Sequence, residues 1–363
     1  MTTRAPEDAE QRVAERIEAR RRRPQKFRDE HVTMAHGAGG KASRALVEGL
    51  IVPLLTNSAL EPLTDAALIE AGGVALAMTT DAFVVRPLRF PGGSIGELAV
   101  NGTVNDLAVS GARPVALSAA LVLEEGLGAA ELEAEIMAMA TAAAAAGVSV
   151  VTGDTKVVER GHCDGMYVVT TGLGLRETAV PLSPRRVRPG DKVLVSGTVG
   201  DHGVAIMLAR GDLDLVADVR SDTAPLWPLV VALLDVCGDG LRCMRDATRG
   251  GVATVLNEIA LAAEVGVVLE ESRVPVRPEV AGAGEILGID PLYVANEGKL
   301  VAFVAPELAD AALAALRGHP TGADAAIVGE VREEPPGRVL GRTQFGGHRL
   351  IDMLVGDPLP RIC

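Results

Sequence analysis

Residues 115–152, VALSAALVLEEGLGAAELEAEIMAMATAAAAAGVSVVT, hold two short apolar runs, Val115–Leu123 and Val148–Thr152, on either side of an alanine-rich stretch, Ala129–Ala146. The runs have the length and side-chain types of strands, and the middle has those of a helix. Outward from this unit, Val74–Thr80, Ser94–Gly111 and Met166–Leu175 continue the alternation. A second series follows in Lys192–Ser196, Asp201–Arg210, Leu226–Val236, Val252–Glu264, Val267–Glu270, Leu300–Ala305 and Ala325–Val331. Between the series, Val180–Asp191 contains PLSPRRVRPGD, where proline interrupts any helix and arginine keeps the stretch in water. The reading is a mixed α/β protein of two domains, and the chain length of 363 residues agrees with two cores.

Composition narrows the functional classes. Hydrophobic residues at 48% and charged residues at 23% suit a folded globular chain. A net charge of -13 repels phosphate backbones, and five Phe, two Tyr and one Trp leave little to stack on bases, so no nucleic acid is expected. The most apolar span, Ala138–Val151, is shorter than the ~20 residues needed to cross a bilayer, and no membrane association is expected. Cys163, Cys237, Cys243 and Cys363 form no CxxC pair, and no signal peptide is apparent, which suits a reducing cytoplasm. Residues 1–31, with the run Arg20–Arg23, read as a charged, solvated extension.

The candidate chemistry lies in glycines and carboxylates. His36-Gly-Ala-Gly-Gly-Lys41 fails both the Walker A and the dinucleotide patterns, yet Gly37, Gly39, Gly40 and Lys41 offer unhindered N–H groups and a cation for polyphosphate, or form a plain loop. Asp81 and Asp154 are expected at strand ends, Asn105-Asp106 in a helix, and Asp246 before the helix that follows ATRGG. Strand ends are where ligands bind in open α/β folds, and magnesium takes carboxylate oxygens, although Asp is also a common turn and helix-cap residue. Lys156 and Glu297 are candidates for proton transfer or surface ion pairing. The chain closes with Gly356-Asp-Pro-Leu-Pro-Arg-Ile-Cys363, whose two prolines keep it extended over about 20 Å.

These pieces together resemble the HypE family of hydrogenase-maturation proteins, within the superfamily that includes aminoimidazole ribonucleotide (AIR) synthetase, selenophosphate synthetase and thiamine-monophosphate kinase. HGAGGK (36–41), TTDAFVV (79–85), NGTVNDLAVSGARP (101–114), TGDTKVV (152–158), RDATRGGV (245–252), NEGK (296–299) and the terminal PRIC (360–363) carry the resemblance. It implies an AIR synthase-like N-terminal domain at 32–178, a C-terminal domain at 179–355 and a mobile tail at 356–363. It further implies that Cys363 receives a carboxamide from a HypF-type carbamoyltransferase and that ATP drives its dehydration to a thiocyanate. The cyanide then passes to iron held by a HypC–HypD complex. By the same resemblance, Asp81, Asp106 and Asp246 hold Mg2+, while Asp154, Asn105 and the loop Gly37–Lys41 belong to the ATP site. Lys156 and Glu297 handle the carboxamide protons, and the chain forms a homodimer. The rivals are an enzyme of the same superfamily acting on a free small substrate, for which PRIC has no purpose, and a non-catalytic thiol carrier, for which the acids have none.

Overall fold

The structure is a computed structural model that describes residues 26–211, 217–354 and 356. The expectations for residues 1–25 and for Cys363 with the six residues before it lie outside the described residues. The first sheet is built from β1 (Ala67–Ala71), β2 (Val74–Phe83), β5 (Arg113–Glu124), β6 (Ser149–Val158) and β7 (Met166–Leu175), with β3 (Arg89–Phe90) and β4 (Gly93–Ser94) forming a separate hairpin. Its order is β1-β2-β7-β5-β6. The second sheet comprises β8 (Lys192–Val195), β9 (Leu241–Asp246), β10 (Gly266–Glu270), β11 (Leu300–Val304), β12 (Ala326–Arg332), β13 (Arg338–Arg342) and β14 (His348–Ile351), in the order β14-β13-β10-β12-β8-β11-β9. Both sheets are mixed, with β5/β6 and β10/β13 as parallel pairs.

The helices of six residues or more are α1 (Lys41–Leu46), α2 (Ile95–Val109), α3 (Ala129–Ala146), α4 (Asp201–Ala209), α5 (Trp227–Cys237), α6 (Gly251–Ala263), α7 (Pro278–Leu287) and α8 (Ala309–Arg317). The quoted stretch folds as β5-α3-β6, because parallel strands need a crossover and the alanine-rich helix supplies it. No helix of the described residues is long and apolar enough to cross a membrane.

Helix α2 organises the molecule. Every residue in it except Glu97 and Asp106 is buried, as befits a helix apolar on all sides. One side packs on β2, β5 and β7, and another meets β9 and α5 of the second half. Two glycines permit this density: a methyl group on Gly102 would sit 2.8 Å from the Phe83 ring, and one on Gly96 would run into the Glu135 carbonyl. Glu135, buried on α3, accepts the Gly96 N–H through Oε2 (3.1 Å) and pairs through Oε1 with Arg89 (2.9 Å). A carboxylate therefore answers the positive end of α2.

The first sheet covers only one of its faces. Strand residues alternate between faces, and the cross-strand partners Met78, Leu173 and Ala116 share a face away from α2. That face and the outer strand β6 leave Val74, Met78, Leu173, Val151 and Val157 exposed. An exposed edge strand with apolar side chains is a surface that natural proteins ordinarily cover.

Replacing Gly96 by Ala should lower the thermal midpoint by several degrees, because overpacking of a tight core costs about 1–3 kcal/mol. Differential scanning calorimetry of the variant beside Ser110→Ala, a change at the C-terminal end of the same helix, measures it.

Candidate active site

The acids meet on the seam between the two sheets. Asp81 lies within β2, which continues two residues past it, Asp106 projects from α2, and Asp246 ends β9 one turn before α6. Asp65, in the approach to β1, joins them without having been singled out in the sequence. Carboxylate oxygens of Asp65, Asp106 and Asp246 lie within 4.8 Å of one another, the spacing of a cation site. Asp81 is hydrogen-bonded to Asp106, and the Thr79 hydroxyl lies 2.7 Å from Asp106 Oδ2. The acids that could hold a cation thus include Asp65, with Asp81 beside Asp106.

This crowding shifts protonation. Burial, then the charges of Asp81, Asp246 and Asp65, push the Asp106 carboxyl well above the usual carboxylate range. Burial and the charges of Asp65 and Asp81 do the same to Asp246. Two arginines oppose the effect. Arg245 pairs with Asp65 at 2.5 Å, and Arg249 draws Asp81 down, though burial still holds both aspartates above their ordinary values.

The glycine loop covers this region and is packed rather than free. Met34–Gly37 forms a single 3-10 turn and Lys41 starts α1. Gly39 has φ of 75°, and a methyl group there would lie 2.8 Å from Arg249. On the other side, Lys41 N–H donates to the Leu354 carbonyl (2.9 Å) and Lys41 Nζ pairs with Asp352 (2.8 Å). The loop is therefore tied both to the ATRGG turn and to the segment leading into the tail.

Glu297 sits behind the acids in the turn before β11. Burial and the charges of Asp222, Asp246 and Asp81 raise its carboxyl well above the ordinary value. Asn105, expected at the nucleotide, is instead a clamp. Its Nδ2 donates to the carbonyls of Ala224 and Glu297 (both 3.0 Å), and its Oδ1 accepts the Leu226 N–H (2.8 Å). A buried amide must satisfy its donors, and here it joins α2 to the second half.

Asp154 and Lys156 are not brought to this cluster within the chain. β6 runs past them to Val158, so Asp154 lies inside an edge strand rather than at a strand end. The register pairs Asp81 with Thr170 and Asp154 with Ala120, which itself pairs with Val169. Adjacent residues of a strand face opposite ways, so Asp154 and Lys156 occupy the open face of the sheet and Asp81 the face toward α2. They pair with each other in solvent at 3.3 Å. Cys163, Cys237 and Cys243 are buried free thiols, and burial pushes Cys237 up to about 11 and Cys243 up to about 12, which makes them poor nucleophiles.

The sequence matches the family model of the AIR synthase related protein N-terminal domain over residues 63–176 and that of its C-terminal domain over residues 188–341. With two mixed sheets and acids along their seam, the molecule is an AIR synthase related protein. It is 54% identical to the carbamoyl dehydratase HypE of Rhodobacter capsulatus over 340 residues, 93% of this chain and 99% of that one. Among solved structures it is similar to a chain of a HypE–HypF complex (TM-score 0.81, 43% identity, 85% of this chain and 100% of that chain). It is also similar to HypE in complex with ATP (TM-score 0.76, 46% identity, 92% and 100%). The chain belongs to the HypE family of hydrogenase-maturation proteins, several of whose curated members are named carbamoyl dehydratase.

Raised carboxyl values make the folded state bind more protons than the unfolded state, so these groups contribute stability below an unfolded value of about 3.9 that is lost as pH rises through their folded values. The metal-free thermal midpoint should therefore fall with rising pH more steeply in the parent chain than in Asp106→Asn. Added Mg2+ should raise the parent's midpoint, and more so at pH 8 than at pH 6. Thermal melts across that range measure both slopes.

Proposed function

We propose that this chain is an ATP-dependent carbamoyl dehydratase that converts an S-carboxamide on its own Cys363 to a thiocyanate, the cyanide source for the iron of a NiFe hydrogenase. One arrangement carries the reading. The glycine loop lies between the buried acids and the root of the tail, tied to Arg249 on one side and to Asp352 and Leu354 on the other. Eight residues lie between Leu354 and Cys363, a reach of at most roughly 30 Å for an extended chain. With the three described cysteines buried, the terminal thiol is the one suited to carry substrate.

The chemistry asks for the groups that are present. An amide oxygen is a poor leaving group, and phosphorylation converts it to phosphate, while a base removes protons from nitrogen. Asp65, Asp106 and Asp246 form an all-oxygen donor set that fits Mg2+, with Asp81 beside it. Bound there, Mg2+ would supply charge neutralisation for the nucleotide phosphates. Gly37, Gly39, Gly40 and Lys41 cover the polyphosphate, Arg249 adds a positive charge between Asp81 and Glu297, and Glu297 takes protons from the carboxamide nitrogen.

Asp154 and Lys156 enter this scheme through a second copy of the chain. The open apolar face of the first sheet and the exposed β6 suit a homodimer, and a partner seated there would meet both residues. The carboxamide donor is a HypF-type carbamoyltransferase and the cyanide acceptor a HypC–HypD complex. Free buried thiols and the absence of any disulfide among the described residues suit a cytoplasmic setting.

Two measurements test the reading. After incubation with carbamoyl phosphate, ATP and the carbamoyltransferase, intact mass should show a carboxamide adduct on the parent chain that loses one water in the presence of ATP and remains as a thiocyanate, and no adduct on Cys363→Ala. An adduct-free parent whose ATP turnover equals that of the variant would move the assignment to a free small substrate. Separately, Met78→Lys with Leu173→Lys, two exposed partners on the open face, should convert a dimer to a monomer in light scattering and lower dehydration at least tenfold. An unchanged molar mass would remove the dimer from the scheme.

A further inference from the structure

Glu297 is held by its backbone on two sides. Its N–H donates to Asp222 Oδ1 (3.0 Å), an acid that also pairs with Lys299 (3.1 Å), and its carbonyl accepts from Asn105. A side chain on Gly298 would collide with the Asp222 carbonyl, so the strand entering β11 is pressed against the strap 219–226. The Glu297 side chain is buried, with the residue only 3% exposed. Facing Oε1 at 4.0 Å is Nε2 of His202, a fully buried imidazole in the first turn of α4.

The far side of that imidazole is also engaged. His202 Nδ1 lies 2.8 Å from Ser221 Oγ, and the Phe90 ring packs edge-on against it. Ser221 is fixed in turn, since its N–H donates to the Pro91 carbonyl (2.8 Å) and its Oγ accepts the Thr223 N–H (3.2 Å). Ser221 is half-buried, whereas His202 is not exposed at all. A line of polar groups therefore runs from the buried carboxyl through an imidazole to a hydroxyl near the surface.

Proton accounting for the dehydration gives this line a purpose. Phosphorylation of the carboxamide forms a bond from its oxygen to the γ-phosphorus of ATP, breaks the bond to ADP and releases one N–H proton. Elimination then breaks the carbon–oxygen bond, completes the carbon–nitrogen triple bond and places the second nitrogen proton on the departing phosphate. One carboxylate holds one proton, so Glu297 must be emptied after the first step before it can transfer the second. At 3% exposure it has little direct contact with water.

We propose that His202 is the proton-relay and positioning residue for Glu297, accepting at Nε2 the first proton taken from the carboxamide nitrogen and passing it through Nδ1 and Ser221 Oγ toward solvent. The inference rests on the dehydratase reading and on Glu297 as its base. His202 touches neither nucleotide nor tail in this scheme. The 4.0 Å gap closes with side-chain movement of about 1 Å when substrate is bound, as catalytic hydrogen bonds often do.

The test uses the full-length chain loaded with carboxamide by the carbamoyltransferase, with thiocyanate formation followed by intact mass at saturating ATP. His202→Gln keeps a polar side chain of similar reach that cannot relay a proton. It should lower kcat roughly 100-fold and leave the KM for ATP within about twofold. Ser221→Ala, a smaller change, should lower kcat several-fold with the same unchanged KM. A wild-type kcat in either variant overturns the relay, as does a His202→Gln loss in which KM rises along with the fall in kcat. Glu297→Gln run in parallel separates the two levels. If it is inactive while His202→Gln is normal, the relay alone fails. If Glu297→Gln dehydrates at the parent rate, Glu297 is not the base and the underlying reading fails with it.

Discussion

Four carboxyl groups share a few ångströms of protein interior at the seam of this molecule, and that crowding is the constraint on which its working parts depend. Two unit charges about 4.8 Å apart repel by roughly 3.5 kcal/mol at an effective dielectric of about 20, so Asp65, Asp106 and Asp246 cannot all be ionised there without positive charge. Arg245 and Arg249 answer part of it. The remainder is met by protons in the metal-free chain and is the affinity available to a divalent cation.

Holding that cluster together requires two domains to behave as one. Asp65, Asp81 and Asp106 come from the first half and Asp246 from the second, and α2 is the element that touches both. Its burial on all sides depends on Gly96 and Gly102, and Asn105 fastens it to Ala224, Leu226 and Glu297. The same helix thus positions an acid of the candidate cation site and, through one amide, the backbone of the candidate base. Packing and chemistry are inseparable along this seam.

The glycine loop and the strap 219–226 approach the seam from opposite sides. The loop connects the acids to the segment that bears the tail, whereas the strap supports Glu297 and His202 from behind. Neither element is a regular helix or strand. Each is fixed by a few specific hydrogen bonds and by glycines that allow backbones to touch, as at Gly39 against Arg249 and Gly298 against Asp222.

Much was legible in the sequence by itself. Alternating strand-length and helix-length apolar runs gave the mixed α/β class, because side-chain periodicity is a local property. The motifs around Asp81, Asp106, Asp246 and Glu297 marked most of the seam, and the terminal PRIC marked the family. What the sequence could not hold was register and proximity. Asp65 carries no motif and becomes a ligand candidate only because the approach to β1 lies beside Arg245. Asp154 and Lys156 resemble site residues in one dimension, yet strand order and the twofold alternation of side chains put them on the opposite face of the sheet. Asn105 clamps α2 to the second half, and His202, which carries no motif, faces Glu297. These are relations between residues tens to nearly two hundred positions apart, and only the packing of two sheets around one buried helix brings them within reach.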